Sequence, residues 1–337
     1  MSVRDVDVIA MGRSSIDLYS NDVGAAFVDI KSFGAFVGGC PTNIAVGTRR
    51  LGLSSMLVTG VGEDPVGDFV LAFLKGEGVD TTRTPRRSGF RTAAVVLGIQ
   101  PPDTFPLVFY RDRPPDLELT IDEVLALPLE RAKVLLVTGT ALSREPSRSA
   151  TFFACERAKS LGTKVFLDID FRADQWHDPR AFGVAVRALL PNVDVVFGTE
   201  AELNAALMTD AGAVAIASHQ MSSPTVKGDA QAAIAEVLRR GPEAVAFKRG
   251  AEGATVYTKD GATHSAKPFA VQVANVLGAG DAFASGFLYG FCKGWPWAKC
   301  ARMGNATGAI VVTRQACANA MPFEQEALRF VEAGGGF

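Results

Sequence analysis

The 337-residue chain is 48% hydrophobic and 21% charged, which is enough apolar material for a large core and the composition of an ordinary globular protein. A formal net charge of −2 gives no electrostatic reason to expect nucleic acid or an anionic membrane as partner, so an anionic ligand must be held by a local cluster of basic residues. Five cysteines, Cys40, Cys155, Cys292, Cys300 and Cys317, are odd in number and form no C-x-x-C pair, which argues against a disulfide framework and a cysteine zinc site and for a reducing, cytoplasmic setting.

The opening stretch "MSVRDVDVIAMGRSSID" has no basic segment followed by a sustained apolar one, so no signal peptide is expected. No uncharged apolar run approaches the roughly 20 residues of a membrane span. "VDVIAMG" begins a series of β-branched runs that continues with "SSMLVTGVG", "AKVLLVTG", "TKVFLDID", "VDVVFGT" and "AVAFKRG", each ending near Gly, Thr or Asp. Helix candidates lie between several of them. In residues 65–78, "PVGDFVLAFLKGEG", Asp64 suits the cap, Pro65 the first position, and Gly76 and Gly78 the exit. "SRSATFFACERAKSLG" (147–162) is a second. This alternation predicts an α/β fold of three layers, a mostly parallel sheet with helices on both faces, in one domain spanning 1–337. Residues 13–37 and 88–112 break the rhythm with alternating segments and no helix of their own. They read as a discontinuous, small antiparallel β lid. The small, polar tract 209–228 reads as a surface loop or loosely held helix.

In open parallel sheets ligands sit beyond the carboxyl ends of the strands, and the unusual residues fall there. In "NVLGAGDAFASGFLYGF", Gly278, Ala279 and Gly280 leave amides unobstructed at a helix start that carries about half a positive charge. Asp281 lies in the first turn, placed as a base that takes a proton from a hydroxyl attacking phosphorus. A tight turn with an acid offsetting the helix dipole explains the same residues. "FVGGCPTNIAVGTRRLG" offers close backbone approach at Gly38 and Gly39 and a donor–acceptor pair in Asn43, or a plain glycine turn. Asp17 could accept bonds from sugar hydroxyls, or serve a turn. Arg111, Arg172 and Lys248 each end or follow a strand; singly they read as surface charges, together as an anion cluster. Asp168 and Asp170 could hold Arg172 or link Mg²⁺ through water. "GVGEDPVG" is not G-x-G-x-x-G and no G-x-x-x-x-G-K-[ST] exists, so neither a dinucleotide fingerprint nor a P-loop is present. Cys155 and Cys292 read as core, Trp295 and Trp297 as a helix corner, and His177, His219 and His264 as surface or loop residues.

"GGCPTNIAVGTRRLG", "GVGEDPVGDFV" and "VLGAGDAFASGF" together resemble the ribokinase-like (PfkB) carbohydrate kinases, from about residue 6 to 330. The resemblance implies transfer of the γ-phosphoryl of ATP, with Mg²⁺, to a primary hydroxyl of a small sugar. "FYRDRPPDLELT", "DIDFRADQW" and "FKRGAEGA" point within the family to keto-deoxy sugar acids, with fructose- or ribose-type sugars as the alternative. It further implies Asp281 as general base with Gly278, Ala279 and Gly280 as anion hole, and Asp17, Gly38, Gly39 and Asn43 at the sugar. Arg111 and Arg172 match groups near the keto and carboxylate end or the transferring phosphate. Lys248, Gly250 and Gly253 match the ATP loop, and Asn305 a position near adenine. A homo-oligomer paired through the lid is implied as well. "FGTEAEL" lacks the Asn of the relatives' N-x-x-E motif, which leaves Glu200 and Glu202 both open as the Mg²⁺-linked acid. Asn275 stands where potassium-activated relatives have Asp, and Pro114 and Pro115 stand where near relatives have small polar residues.

Overall fold

The computed structural model describes residues 4–100, 104–215 and 224–337. Its elements begin with β1 (Val6–Met11), β2 (Ser15–Ser20), β3 (Phe33–Gly38), α1 (Cys40–Arg50), β4 (Ser55–Val58), β5 (Val61–Gly62) and α2 (Pro65–Gly76). Next come β6 (Arg86–Arg87), β7 (Ala93–Leu97), β8 (Leu107–Tyr110), α3 (Ile121–Leu125), β9 (Ala132–Thr138), α4 (Ser147–Ser160) and β10 (Lys164–Asp168). Then follow α5 (Pro179–Leu189), β11 (Val195–Gly198), α6 (Glu200–Leu207), β12 (Val214–Ala215), β13 (Thr225–Val226) and α7 (Ala230–Arg240). The chain closes with β14 (Ala244–Lys248), β15 (Ala254–Thr258), β16 (Thr263–Ala266), α8 (Ala279–Cys292), α9 (Trp297–Val311) and α10 (Glu324–Ala333).

The six β-branched runs noted in the sequence are the six parallel strands of one eight-stranded sheet, in the order β16-β15-β14-β11-β10-β9-β1-β4. Only β15 and β16 run antiparallel, as a hairpin that finishes one edge. Because side chains alternate along a strand, each parallel strand feeds two cores. Ile9, Leu135, Leu167 and Val245 pack with Cys155, Phe182, Leu203 and Ile234 of α4 to α7 on one face. Val8, Leu136, Phe166 and Phe197 pack with Ile44, Val70, Phe287, Ile310 and Val331 of α1, α2, α8, α9 and α10 on the other. Trp297 stacks on Phe287 and Phe291 at 5.9 Å, forming the expected corner between α8 and α9. Local signals match their elements: Asp64 caps α2 by accepting from the Gly67 amide at 2.6 Å, and Gly78 leaves it at φ +72°.

The stretches 13–37 and 88–112 supply a separate four-stranded sheet in the order β3-β2-β7-β8. Its outer pairs are antiparallel, but the central pair, β2 with β7, is parallel. Between them the chain leaves for β3, α1, β4 of the main sheet and α2, and β7 then returns in the direction of β2. A short 3-10 turn, Phe27–Asp29, lies inside the first stretch. Tyr19, Val95, Leu97 and Leu107 bury one face of this sheet together with Leu277 and Cys317, which flank the start of α8. Of the tract 209–228, residues 216–223, and with them His219, lie outside the described residues; the flanks pair as β12 and β13.

Candidate active site

All the candidate chemistry gathers beyond the carboxyl ends of β1, β9, β10, β11 and β14. At the phosphoryl end, Gly278 caps α8 with φ +79°, a left-handed conformation that a side chain would strain, and Ala279 and Gly280 are the first two helical residues. Asp281 follows in the first turn. Its Oδ2 accepts a hydrogen bond from Asn43 Nδ2 at 2.6 Å, and the Cys40 thiol donates to the same carboxylate. Burial, with the neighbouring Asp170 charge, holds the Asp281 carboxyl above its ordinary range in spite of those bonds. Asn43 and Cys40 both ride on α1, so the two glycine motifs meet at one carboxylate.

Lys248, the last residue of β14, reaches under this helix start: a methyl group on Gly280 would lie 3.3 Å from its Nζ. The ammonium stands 3.3 Å from both oxygens of Asp168 and 3.6 Å from Glu202 Oε2. Burial opposes its charge, but Asp168 and Glu202 outweigh that and raise Lys248 above its usual value. Burial also pushes Asp168 up to about 7, with Lys248 acting the other way. Glu202 owes its position to a capping box. Thr199 Oγ1 accepts from the Glu202 amide, and Glu202 Oε2 accepts from the Thr199 amide at 2.8 Å. Thr199 thus spends its hydroxyl on the helix. Glu200, two residues before Glu202, lines a cleft of about 560 Å³ together with Asp229, Phe247, Lys248, Arg249 and Glu252. Gly250 (φ +55°) and Gly253 (φ +86°) form the turn that follows Lys248, closed by Arg249 N donating to Gly253 O at 2.9 Å. Asn305 is not among the residues lining that cleft. Its amide donates to Ala266 O and Lys267 O, pinning the end of edge strand β16.

The sugar end is built from side chains. Asp17 on β2 accepts from Ser15 Oγ at 2.7 Å, and burial lifts it to about 6. Gly38 on β3, opposite Ser15 and diagonal to Asp17, has to be glycine, because any Cβ there would run into the Asp17 carboxylate. Gly39, at φ +108°, turns the chain from β3 into α1. Arg13, two residues past β1 and 7% exposed, donates from Nε and Nη2 to Asp170 Oδ2, each at 3.3 Å. Asp170 also accepts from Arg172 Nε at 2.9 Å and from Thr140 Oγ1 at 3.3 Å, and it holds φ +37° to do so. Burial works against its charge, yet the two guanidiniums bring Asp170 down to about 2. Arg111, just past β8, pairs with the buried Asp116 and donates from Nη1 to Gln175 Oε1 at 3.1 Å. Asp116 comes from the 3-10 turn Pro115–Glu118, which Pro114 precedes, so the two prolines shape the turn that delivers the counter-ion.

Arg13, Asp116, Gln175 and Cys40 belong to this site and were not singled out as candidates. Arg13 had a usable signal, its place just past a parallel strand, which is the same signal that marks Arg172 and Lys248. Asp116 and Gln175 had none, since only the turn geometry brings them to Arg111.

A helix start with unobstructed amides beside a buried carboxylate, at the carboxyl ends of parallel strands, is an arrangement able to hold a phosphate next to a base. The chain belongs to the pfkB family of carbohydrate kinases, whose profile matches residues 6–324, and it is an ATP-dependent sugar kinase. It is 32% identical over 330 residues to the 5-dehydro-2-deoxygluconokinase of Geobacillus thermodenitrificans, covering 98% of this chain and 94% of that one. The enzyme of the same name from Clostridium tetani matches with the same identity and coverage. Among solved structures, the fructokinase of Xylella fastidiosa with bound ATP shares the fold at TM-score 0.84 and 24% identity, over 98% of this chain and 99% of that one. The fructokinase of Vibrio cholerae, bound to fructose, ADP and calcium, matches at 0.80 and 26% over 97% and 99%. No helix among the described residues is long and apolar enough to cross a membrane.

Proposed function

We propose that this kinase phosphorylates a primary hydroxyl of 5-dehydro-2-deoxygluconate, a six-carbon keto-deoxy sugar acid. The observation that carries the reading is the cluster of Arg13, Arg111 and Arg172 at the sugar end. These guanidiniums are buried to different degrees, feel one another's charge, and are costly to maintain for a neutral sugar. A carboxylate and a keto oxygen are what such a cluster suits. Curated relatives of that name at 32% identity support the same substrate.

In this reading Asp281 accepts the hydroxyl proton as the bond to phosphorus forms, and Asn43 fixes the carboxylate for that transfer. The amides of Gly278, Ala279 and Gly280, with Lys248, receive the charge that spreads over the phosphate oxygens. Asp17, with Gly38 and Gly39 behind it, orients the sugar hydroxyls. Lys248, Gly250 and Gly253 border the nucleotide. The donor set fits Mg²⁺: Glu202 and Glu200 present hard carboxylate oxygens toward Lys248 and the cleft, suited to holding it through water. When bound, Mg²⁺ would neutralise triphosphate charge. The small sheet acts as a lid that keeps water from the phosphoryl group. Val23, Phe27, Val28, Phe33, Val108 and Tyr110 are exposed on and around it, which supports a dimer through this sheet. Five free cysteines support a cytoplasmic enzyme.

A coupled ADP-release assay over 5-dehydro-2-deoxygluconate, 2-keto-3-deoxygluconate, fructose and ribose tests the substrate. The acids should exceed the neutral sugars by at least about 10²-fold in kcat/KM, because only an anionic substrate gains charge-assisted hydrogen bonds from guanidinium donors. Equal rates on all four would discard the acid-specific reading and leave the kinase intact.

A further inference from the structure

We propose that Cys40, Asp168 and Asp281 form a binding site for a thiophilic divalent cation of the Zn²⁺ or Cd²⁺ type, distinct from the Mg²⁺ used with ATP. Three segments far apart in sequence converge here: the first residue of α1, the last of β10 and the first turn of α8. Cys40 Sγ and one carboxylate oxygen from each aspartate all lie within 4.8 Å of one another. A tetrahedral ion with a sulfur ligand at about 2.3 Å and oxygens at about 2.1 Å needs its ligands on the order of 3.5 Å apart, so closure takes a contraction of about 1.3 Å at most.

A second, independent feature points to a ligand at the same place. The Asn43 side chain, 3% exposed, gives its Nδ2 to Asp281, while its Oδ1 is buried and has no hydrogen-bond partner. Buried amide oxygens are almost always satisfied, and an ion beside Asp281 would satisfy this one. The local charge favours a cation as well. Asp17, Asp168, Asp170, Asp281 and Glu202 face Arg13, Arg172 and Lys248, which leaves carboxylates in excess. Lys248 competes for Asp168 at 3.3 Å, so the site is weaker than an all-thiolate one.

The thiol selects the metal. Mg²⁺ takes hard oxygen ligands and gains little from sulfur, whereas Zn²⁺ and Cd²⁺ bind thiolate well. On binding, the metal–sulfur bond forms as the Cys40 proton passes to buffer. The ion would then occupy the carboxylate that receives the hydroxyl proton, so it would inhibit the kinase. That consequence rests on Asp281 being the base; the site itself does not.

The test uses Co²⁺ as a spectroscopic probe on the intact enzyme, without nucleotide, followed by Zn²⁺ inhibition in the presence of excess Mg-ATP with free Zn²⁺ held by a chelator buffer. Wild type should show a near-ultraviolet thiolate-to-cobalt band, and C40S should lose it while keeping wild-type circular dichroism. The Zn²⁺ concentration for half inhibition should rise at least about 10-fold in C40S, and D168N should weaken the band in the same way. No band in wild type, or an equal band in C40S, overturns the proposal. A Cys40-dependent band without inhibition upholds the metal site and instead removes the reading of Asp281 as base.

Discussion

The two ends of the site are made of different material. At the end proposed to take the phosphoryl group, the peptide amides and helix start lie within four consecutive residues, 278–281. At the end proposed to take the sugar, Arg13, Arg111, Asp116, Asp170 and Arg172 come from loops and strands across more than 150 residues and hold one another by ion pairs, with Asp17 held by Ser15 beside them. Backbone chemistry is inexpensive to bury, because amides at a helix start await a partner anyway. Side-chain charges are costly to bury, so each cation here comes with its anion. The phosphoryl end should therefore fail by losing rate with little loss of stability, and the sugar end by losing stability together with substrate affinity.

The largest effect expected is Asp281→Asn, which should lower kcat by about 10²–10⁴-fold in the ADP-release assay while leaving nucleotide affinity and the melting temperature close to wild type. Near-normal turnover would end the mechanism. At the other end, Asp116→Ala should destabilise by about 3–5 kcal/mol in urea titrations, since it strands a buried guanidinium. The double variant Arg111→Met/Asp116→Leu should recover most of that stability but not the turnover of the sugar acid. If the double variant turns over normally, Arg111 is structural and the contrast between the ends disappears.

The raised carboxylates make the contrast pH-dependent. Asp17 at about 6 and Asp168 at about 7 keep their protons in the fold when the unfolded chain has already lost them near pH 4. Between about pH 4 and 7 the folded state thus binds more protons, and stability from these two groups falls as pH rises through 6 and 7. Asp170, brought down to about 2, acts in the opposite sense but only below about pH 4. The urea midpoint of the ligand-free enzyme should be higher at pH 5 than at pH 8, and Asp17→Asn should flatten part of that slope. A midpoint that climbs from pH 5 to 8 in both proteins would refute the assignment.

How much could be read in the sequence follows the same division. The six parallel strands were legible because strands buried on both faces read as near-continuous apolar runs rich in Val, Ile and Leu, as "AKVLLVTG" and "TKVFLDID" do. The hairpin β15–β16 was not, since "GATVYT" alternates small or polar residues with apolar ones even though β15 is buried along nearly its whole length. The parallel pairing of β2 with β7 was hidden too, because alternation reports burial and not strand direction. In the site, "GAGD" carries its own geometry, so Gly278 to Asp281 could be placed from four letters. Arg111 could be picked out but not its partner, as the partner is delivered by a 3-10 turn after two prolines. That Asn43 serves the Asp281 carboxylate depends on α1 packing against α8, which no local pattern encodes.

Gly38→Ala comes next in size. The added methyl group must displace the Asp17 carboxylate or open β2 from β3, so overpacking should cost about 1–3 kcal/mol. KM for the sugar should rise about 10-fold or more with KM for ATP unchanged. A variant that shifts both KM values equally would mean that the glycine serves the fold around α1 and not the sugar.

The smallest effect separates the small sheet's attachment from its chemistry. Asp64 caps α2 through Oδ1, which accepts from the Gly67 amide and from Thr92 Oγ1, while its Oδ2 accepts from the Thr92 amide at 2.7 Å. Thr92 leads directly into β7, so one carboxylate ties a helix of the main layer to the sheet that carries Asp17. Loss of a cap costs about 1 kcal/mol, equivalent to about 2 °C in a domain of this size, and Asp64→Ala should show that shift by calorimetry. Since β2, β3 and the Leu277–Cys317 contacts still seat the sheet, kcat should be unchanged and KM for the sugar should move less than about threefold. A rise of 10-fold or more with so small a loss of stability would show that the tie to α2 sets the position of Asp17, and that the sugar end reaches further into the fold than its buried charges do.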